Sequence, residues 1–573
     1  MKQWDSMNVK ELRKELKIRN IPHSGNKKEL IERLRQNKII NAEIVKNTNF
    51  KINIKMKITN QYNKLKQLPI SALAIIVIML LGTSGGAILY SEDIMDLISG
   101  EDNYILIDFD TNQSRTYAQT LVNLGHPEWE GRLSGTIEEK NAAESIKYNF
   151  SEMGIPSTLE EFQVPMFTMG NQFDLSACKP GDVGGILGGQ SPCSFADINR
   201  EIIEFTHREE FVLQGYSGSA DIRYTSETNV VDLDIGNESS DWSGASDGIG
   251  LVWIREGQNE GDSTESNTIL FQRAQENQLL ALILVNDKSN CDELVIGDCV
   301  PYFKSLDASS FNTLPENIGL IMVSKSVGEY ILDQVINSDS RLQLILDVQN
   351  QGKGTIYVPC GIIEGETEDL IIFGAHHDTV YNGQGAVDNT AGVATVQEIA
   401  RQFSEIVSEL GNPRYTIWFC TWGGEEEGLW GSKEWVKKHQ SELKENLRLY
   451  INLDMNHVDL ERNSGVILQG NSKEDIKHIN NLLSIFKKEY SDLYDKYPIV
   501  VRELESTDMP YNSDHAPFVY EISEEEYGRS LICYGSGSSE YHTYLDTMDR
   551  FNEESLAVSG IIYGSLARHL SYA

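Results

Sequence analysis

Between residues 370 and 542 the chain passes through four short apolar runs, and each leads to a side chain that binds metals or protons. Residues 370–373 lead into Gly374-Ala375-His376-His377-Asp378, and 415–420 lead to Glu425-Glu426. Residues 449–453 end in Asp454, and 531–535 are followed by Glu540-Tyr541-His542. A turn with Gly383 and Gly385 delivers Asp388 to the start of a helix whose Val393, Val396, Ile399 and Phe403 recur at helical spacing. Apolar runs alternating with helical patterns predict an α/β fold: a mixed, mostly parallel sheet flanked by helices. Open sheets of that kind bind ligands beyond the carboxyl ends of their strands, where all of these groups fall.

Two imidazoles and three carboxylates, His376, His542, Asp388, Glu426 and Asp454, suit zinc or a similar divalent ion. One aspartate can bridge a pair of ions about 3.5–4 Å apart, so that both share one hydroxide nucleophile. A carboxylate outside the ligand set must then take the proton from the water, and Glu425 beside Glu426 is the natural choice. Side chains alternate along a strand, so His376 and Asp378 face one side and His377 the other, which puts Asp378 behind His376. His377 and His457 read as satisfied histidines. Any one of these pairs alone is usually solvated surface; their order and shared position at strand ends carry the case.

The formal net charge of −37 is unevenly spread over the 573 residues. Residues 1–67 hold 17 Lys+Arg against 6 Asp+Glu, so the rest is strongly acidic. Between the two parts, residues 67–91 contain no charge, and 68–90 are long and apolar enough for one transmembrane helix. A buried helix would show a polar face, and a signal peptide has a short charged segment ahead of its apolar core. Lys51, Lys55, Lys57, Lys64 and Lys66 precede the run, and Glu92, Asp93 and Asp96 follow it. The positive-inside rule therefore predicts a single-pass cell-membrane protein with a cytoplasmic N-terminus and an extracytoplasmic acidic part. Gly82 and Gly86 have the spacing of a helix-dimerising pair, a weak signal in such spans.

Ahead of the anchor, residues 1–40 read as a small module of two amphipathic helices. Val9, Leu12 and Leu16 share one face; residues 21–26 break the pattern; Leu30, Ile31 and Leu34 share the next. Over residues 16–34 the pattern Leu-Lys-x-Arg-Asn-Ile-Pro-x-Ser-Gly-x-Lys-x-Glu-Leu-Ile-Glu-Arg-Leu resembles the SAP family, a helix-extended loop-helix module associated with DNA binding. The resemblance implies that Arg19, Lys27, Lys28 and Arg33 meet phosphates, with salt-sensitive affinity. The competing reading is a basic flank that sets topology or faces anionic lipid. Residues 41–67 form a basic tether and 91–113 a spacer.

Residues 114–203 open with two helical patterns, the second starting on Thr136-Ile137-Glu138-Glu139, the signature of a capping box. A Gly-rich connection follows. From 204 to 350 strands at 250–255, 280–287 and 318–325 and helices at 269–277 and 327–332 make a β-rich α/β insert, and that order resembles the protease-associated domain. A lid or substrate-recruiting role is what this resemblance implies. The catalytic core spans 351–573, its first strand ending at Pro359. Cys178 with Cys193 and Cys291 with Cys299 are close pairs suited to disulfides in an exported protein, while Cys360, Cys420 and Cys533 read as buried thiols.

Taken together, Gly-Ala-His-x-Asp, Asp388-Asn389, Trp-Gly-Gly-Glu-Glu-x-Gly-Leu-x-Gly-Ser, Asn-x-Asp-Met and Tyr-His-Thr-x-x-Asp-Thr resemble the M28 family of zinc-dependent aminopeptidases and carboxypeptidases. Residues 130–136, Glu-Gly-Arg-Leu-Ser-Gly-Thr, are similar to a segment that opens many members. The resemblance implies a zinc exopeptidase-like fold and two zinc ions. His376 and Asp454 would hold one ion, Glu426 and His542 the other, with Asp388 bridging, Glu425 as general base and Asp378 orienting His376. Ser513, Asp514 and His515 match a family segment near the substrate pocket, although a structural turn explains them equally well. The expectation is a membrane-anchored exopeptidase acting on peptides, an aminopeptidase ahead of a carboxypeptidase. The alternative from another class is a non-catalytic, membrane-tethered organiser of nucleic acid or envelope.

Overall fold

The computed structural model describes residues 104–573 apart from 182–192, 194–196, 198, 256–262, 288–295, 462–464 and 536–539. The SAP-like module with Arg19, Lys27, Lys28 and Arg33, the tether, the uncharged run and Cys291 lie outside the described residues. Among the described residues no helix is long and apolar enough to cross a membrane.

Helices α1 (Thr111–Val122) and α2 (Ile137–Glu152) precede a 23-residue strand, β1 (Ser157–Lys179), which pairs with β2 (Glu201–Phe205). The chain then forms β3 (Phe211–Leu213), β4 (Ala220–Ile222), β5 (Val230–Asp232), β6 (Ile249–Ile254), α3 (Asn267–Glu276), β7 (Ala281–Asn286), β8 (Gly319–Val323) and α4 (Lys325–Tyr330). A second 23-residue strand, β9 (Arg341–Ile363), returns antiparallel to β1. After it come β10 (Thr367–His376), α5 (Ala391–Leu410), β11 (Tyr415–Trp422), α6 (Trp430–Asn446) and β12 (Leu447–Leu453). The chain closes with β13 (Val466–Gly470), α7 (Lys473–Glu489), α8 (Ser491–Lys496), β14 (Ile499–Glu503), α9 (His515–Tyr520), β15 (Ser530–Gly535) and α10 (Glu553–Tyr572).

The larger sheet has the order β14-β13-β15-β12-β10-β11-β9-β1-β2, with β4 also on β9. Its centre, β11-β10-β12-β15, is parallel. The flanks are not: β9 is antiparallel to β11 and β13 to β15, so the sheet is mixed and mostly parallel only at its centre. The central strands read as unbroken apolar runs because both their faces are covered. On one face Phe373, Phe403, Phe419, Ile399 and Ile451 share a core with α5 and α10; on the other Trp422, Trp435, Tyr450 and Phe518 pack with α6 and α9. Burial of side chains of this size contributes about 1.5–3 kcal/mol each.

The second sheet, β3-β8-β7-β6-β5, is parallel from β5 to β8 and draws on residues 211–323. Residues 341–350 belong instead to β9, which runs on through Pro359. That proline is tolerated because pairing with β11 starts only at Cys360, so its missing N–H interrupts no bond on that side.

Three local expectations change. Thr136 is the N-cap of α2 but makes no side-chain capping bond; its hydroxyl donates to the Leu133 carbonyl at 2.6 Å. Glu139 is buried instead, accepting from the Tyr357 N–H at 3.0 Å. Cys360 and Cys420 are not thiols, because they lie directly opposite on β9 and β11 and form a disulfide. Cys178 pairs with Cys193 as expected, Cys299 is disulfide-bonded, and Cys533 is a free buried thiol.

Candidate metal centre

The topology explains how residues 166 positions apart meet. His376 is the last residue of β10, Glu425 and Glu426 follow β11, Asp454 follows β12, and His542 lies in the loop after β15. These are the four parallel strands, and all four carboxyl ends open on one edge. Asp388 arrives from the turn before α5, where Gly385 adopts a left-handed φ of 58° and a Cβ would meet Thr379 Cγ2 at 2.2 Å. Only glycine fits there.

Asp388 stands between the two histidines. Its Oδ1 is 3.2 Å from His376 Nε2 and its Oδ2 3.1 Å from His542 Nε2. Asp454 Oδ1 lies 3.6 Å from His376 Nε2, and Glu426 Oε2 lies 2.9 Å from His542 Nε2. Two triads result, His376/Asp388/Asp454 and Asp388/Glu426/His542, each with ligand atoms within 4.8 Å of one another. Glu425 belongs to neither, although it forms a third such group with His376 and Glu426; its Oε2 comes within 4.0 Å of His376 Nε2, and it is the most exposed of the acids at 11%. A cis peptide joins Asp388 to Asn389.

The charges call for a cation. Asp454 Oδ1 and Glu426 Oε1 are buried without a hydrogen-bond partner, and such carboxylate oxygens are costly unless a positive charge faces them. His542 is raised to about 10: burial alone would lower it, but Glu426 and Asp388 outweigh that. His376 rises for the same reason, with Glu425 foremost against its burial. Burial, with repulsion from Glu426, Asp514 and Asp454 against the pull of His376, lifts Glu425 well above the usual carboxylate range. Imidazole nitrogen and carboxylate oxygen, three donors per triad with a shared aspartate, form a donor set that fits zinc.

Residues 360–566, which contain all of these side chains, match the model of Peptidase family M28. Over that stretch the chain is similar to the M28 peptidases. Residues 3–37 match the SAP domain model. Among curated proteins, the probable glutamate carboxypeptidase VP8 of Zea mays is 31% identical over 224 residues, 37% of this chain and 30% of that protein. An aminopeptidase of Pseudomonas aeruginosa is 32% identical over 117 residues, 20% of this chain and 21% of that one. The chain thus spans less than a third of the length of these relatives. In fold, the zinc aminopeptidase BSAP of Bacillus subtilis superposes with a TM-score of 0.57 at 17% identity, covering 81% of this chain and 96% of that one. The likeness of fold extends well beyond the M28 domain.

Around the M28 site, supports appear that sequence spacing does not show. Asp378 does stand behind His376, but His376 Nδ1 is 3.2 Å from the Asp378 main-chain oxygen and 3.6 Å from its carboxylate. The other carboxylate oxygen accepts from Ser134 Oγ at 2.8 Å and from the Glu426 N–H at 3.2 Å, so Asp378 links both halves of the site. Ser513 donates to Asp454 Oδ2 at 2.5 Å and accepts from Asn452 Nδ2 at 2.8 Å. Asn452 in turn accepts from the Tyr450 hydroxyl, which accepts from Trp422 Nε1. Ser513 therefore braces a candidate ligand. Asp514 takes a 2.5 Å hydrogen bond from Ser432 and is raised to about 8, mainly by burial; His515 is buried and lowered to about 4 by the same cause.

Asp546 accepts from the Val387 and Asp388 N–H groups at 2.8 and 3.0 Å, fixing the backbone that carries the shared aspartate. Arg132, wholly buried, donates to the His377 and Gln384 carbonyls and to Thr390 Oγ1, bracing the same turn. His377 sits 3.0 Å from Glu139 and His457 accepts from the Asn552 N–H, so neither joins the cluster. Ser134, Asp546 and Arg132 all fall inside quoted motifs, which was the one signal available for them.

Proposed function

We propose that this chain is a zinc exopeptidase that removes residues from the N-terminus of peptides, using two ions held at the His376/Asp388/Asp454 and Asp388/Glu426/His542 triads. The observation that carries the reading is the Asp388 shared between two triads, with Glu425 beside them at 4.0 Å from His376 Nε2. Zinc bound there supplies a Lewis acid for the scissile carbonyl and makes water easier to deprotonate. Glu425, more exposed than the ligands and raised in pKa, takes the proton from the attacking water and returns it to the departing amine. Asp378 keeps the His376 ring and the Glu426 backbone in register, and Ser513 does the same for Asp454. The relative named as an aminopeptidase supports an amine end over a carboxylate end.

The relatives named as carboxypeptidases supply the second reading, a carboxypeptidase of the same family. Turnover of aminoacyl-arylamides and free-amine peptides, abolished by a chelator, is expected. Turnover of N-blocked peptides alone would reverse the assignment, and no turnover of either class by the zinc-loaded protein would leave the binding-only organiser.

The proposal extends to location. Residues 68–90 anchor the chain and the M28 domain lies outside the cytoplasm, a reading supported by the charge asymmetry and by the disulfides Cys178–Cys193 and Cys360–Cys420. Protease protection of residues 104–573 in sealed vesicles is expected; their digestion from the cytoplasmic side would reverse the topology. The unit carrying β5–β8 acts as a protease-associated-like insert near the substrate, and residues 3–37 contact DNA phosphates through Arg19, Lys27, Lys28 and Arg33. DNA affinity of the full chain that is independent of salt, or unchanged in Lys27→Ala/Lys28→Ala, removes the DNA contact.

A further inference from the structure

His542 is held from the other side of the molecule. Its Nδ1 is 2.8 Å from the main-chain oxygen of Phe303, and its own carbonyl accepts from the Phe303 N–H at 3.0 Å. A carbonyl accepts only, so Nδ1 carries a proton and Nε2 is the nitrogen aimed at Asp388 and Glu426, the one that would face a bound cation. Phe303 belongs to the segment between β7 and β8, in the unit of the second sheet, 239 positions from His542. The tautomer and direction of this ring are therefore set by a backbone outside the M28 domain.

Beside the main-chain bonds of Gly215 to Lys304 and Leu306, one buried amide brackets that backbone. Gln214, immediately after β3, donates from Nε2 to the Tyr302 carbonyl at 3.0 Å and accepts at Oε1 from the Lys304 N–H at 3.1 Å. These are the two residues flanking Phe303. Asn267 Nδ2 adds a second bond to the same oxygen at 3.3 Å. Gln214 is fully buried, and its own N–H donates to the Leu320 carbonyl of β8, which ties the side chain to the sheet. Next to it Gly215 lets the segment come close; a Cβ there would meet Ser305 Oγ at 2.2 Å. The side chain of Gln214 meets the satisfied backbone on both sides of one residue, a bracket that a hydrophobic side chain of equal size does not reproduce.

We infer that Gln214 is a positioning residue for the cation site that contains His542: through the Phe303 backbone it sets the ring that the second triad depends on. The inference rests on reading His542 as a ligand. It predicts a site-selective effect. Loss of the Gln214 amide weakens the Asp388/Glu426/His542 triad and spares His376/Asp388/Asp454, to which the second sheet's unit contributes no such bond among the described residues.

The test is metal binding by the full chain, stripped with a chelator and titrated with Zn²⁺ against a chromogenic competitor. Two classes of site are expected in the wild type, and His542→Ala identifies the one that weakens. Gln214→Met, close in size but without the amide, is expected to weaken that same class by about tenfold or more, leaving the other class and the circular dichroism of the protein unchanged. Affinities equal to wild type at both classes, or equal losses at both, overturn the inference. If Gln214→Met fails to fold, Asn267→Ala decides: a smaller loss confined to the His542 class supports the inference, and no change overturns it. A wild-type chain that takes up no zinc overturns the metallopeptidase reading and this inference together. Normal uptake with an indifferent Gln214 overturns this one alone.

Discussion

Glu425 and Glu426 are neighbours in sequence with opposite surroundings. Glu426 donates its N–H to Asp378 and sets Oε2 2.9 Å from His542, while Glu425 reaches no closer than 4.0 Å to His376. Glu425→Gln is therefore expected to lower kcat by roughly 10²–10⁴-fold with zinc uptake retained; a variant that loses its zinc instead would make Glu425 a ligand. Ser513→Ala removes the bond to Asp454 and is expected to cost about 10–100-fold in zinc affinity at the His376 triad, measured by competition titration, with little change in KM. A large KM change with normal zinc affinity would return Ser513 to the substrate pocket. The placement of His376, Glu425, Glu426, Asp454 and His542 at or beyond strand ends was legible because periodicity fixes which end of a strand a residue occupies. The role of Ser513 was not: its partners Asn452 and Asp454 lie about sixty positions away, and spacing carries no information on which loops touch.

At the scale of elements, α6 rests on β1 through a cluster with a pH signature. His439 Nε2 is 2.9 Å from Glu160 Oε1, and Lys438 Nζ is 2.5 Å from Glu160 Oε2. Burial works against His439 protonation, but Glu160 and Glu442 outweigh it and raise its pKa above 6.5; burial likewise works against the Glu160 carboxylate, but His439 and Lys438 lower its pKa below 4.5. A raised histidine stabilises fully below its unfolded pKa and loses that contribution as pH rises through its folded value. A lowered glutamate contributes above its unfolded pKa and loses it as pH falls through its folded value. The Tm gap between wild type and Glu160→Gln is therefore expected to be widest between pH 4.5 and 6.5 and to narrow on either side, with a remainder at high pH from Lys438. A flat gap removes the pair from the stability of this contact. The element pattern was readable where strands are buried on both faces, and less so at β9, where a proline suggested an end. Pro359 marks instead where a neighbour begins, a matter of register that one strand's sequence does not contain. Thr136 and Glu139 matched a local capping signature, yet a buried partner 218 positions away, the Tyr357 N–H, outbids the helix end for the carboxylate.

Across the whole molecule, the cation site lies where the carboxyl ends of the larger sheet's parallel strands meet the segment between β7 and β8. Chelation is expected to abolish turnover and lower Tm, since the acids of the site then have only the two histidines opposite them; zinc at about a hundred times its Kd should restore roughly 2.7 kcal/mol per site. A Tm indifferent to chelator would separate the site from the stability of the fold. That residues 360–566 carry an M28-like motif set was legible in the sequence, but that the segment between β7 and β8 reaches a candidate ligand was not, because a main-chain carbonyl such as that of Phe303 has no sequence signature. The pair Phe303–His542 also orders events in time. A ribosome releases the chain from its N-terminus, and units fold as they emerge. The segment that receives the His542 ring is complete long before residue 542 is made, so the final ligand docks into a finished receptor. A chain stopped short of that residue lacks the histidine of the second triad, so of the two triads this one is completed later.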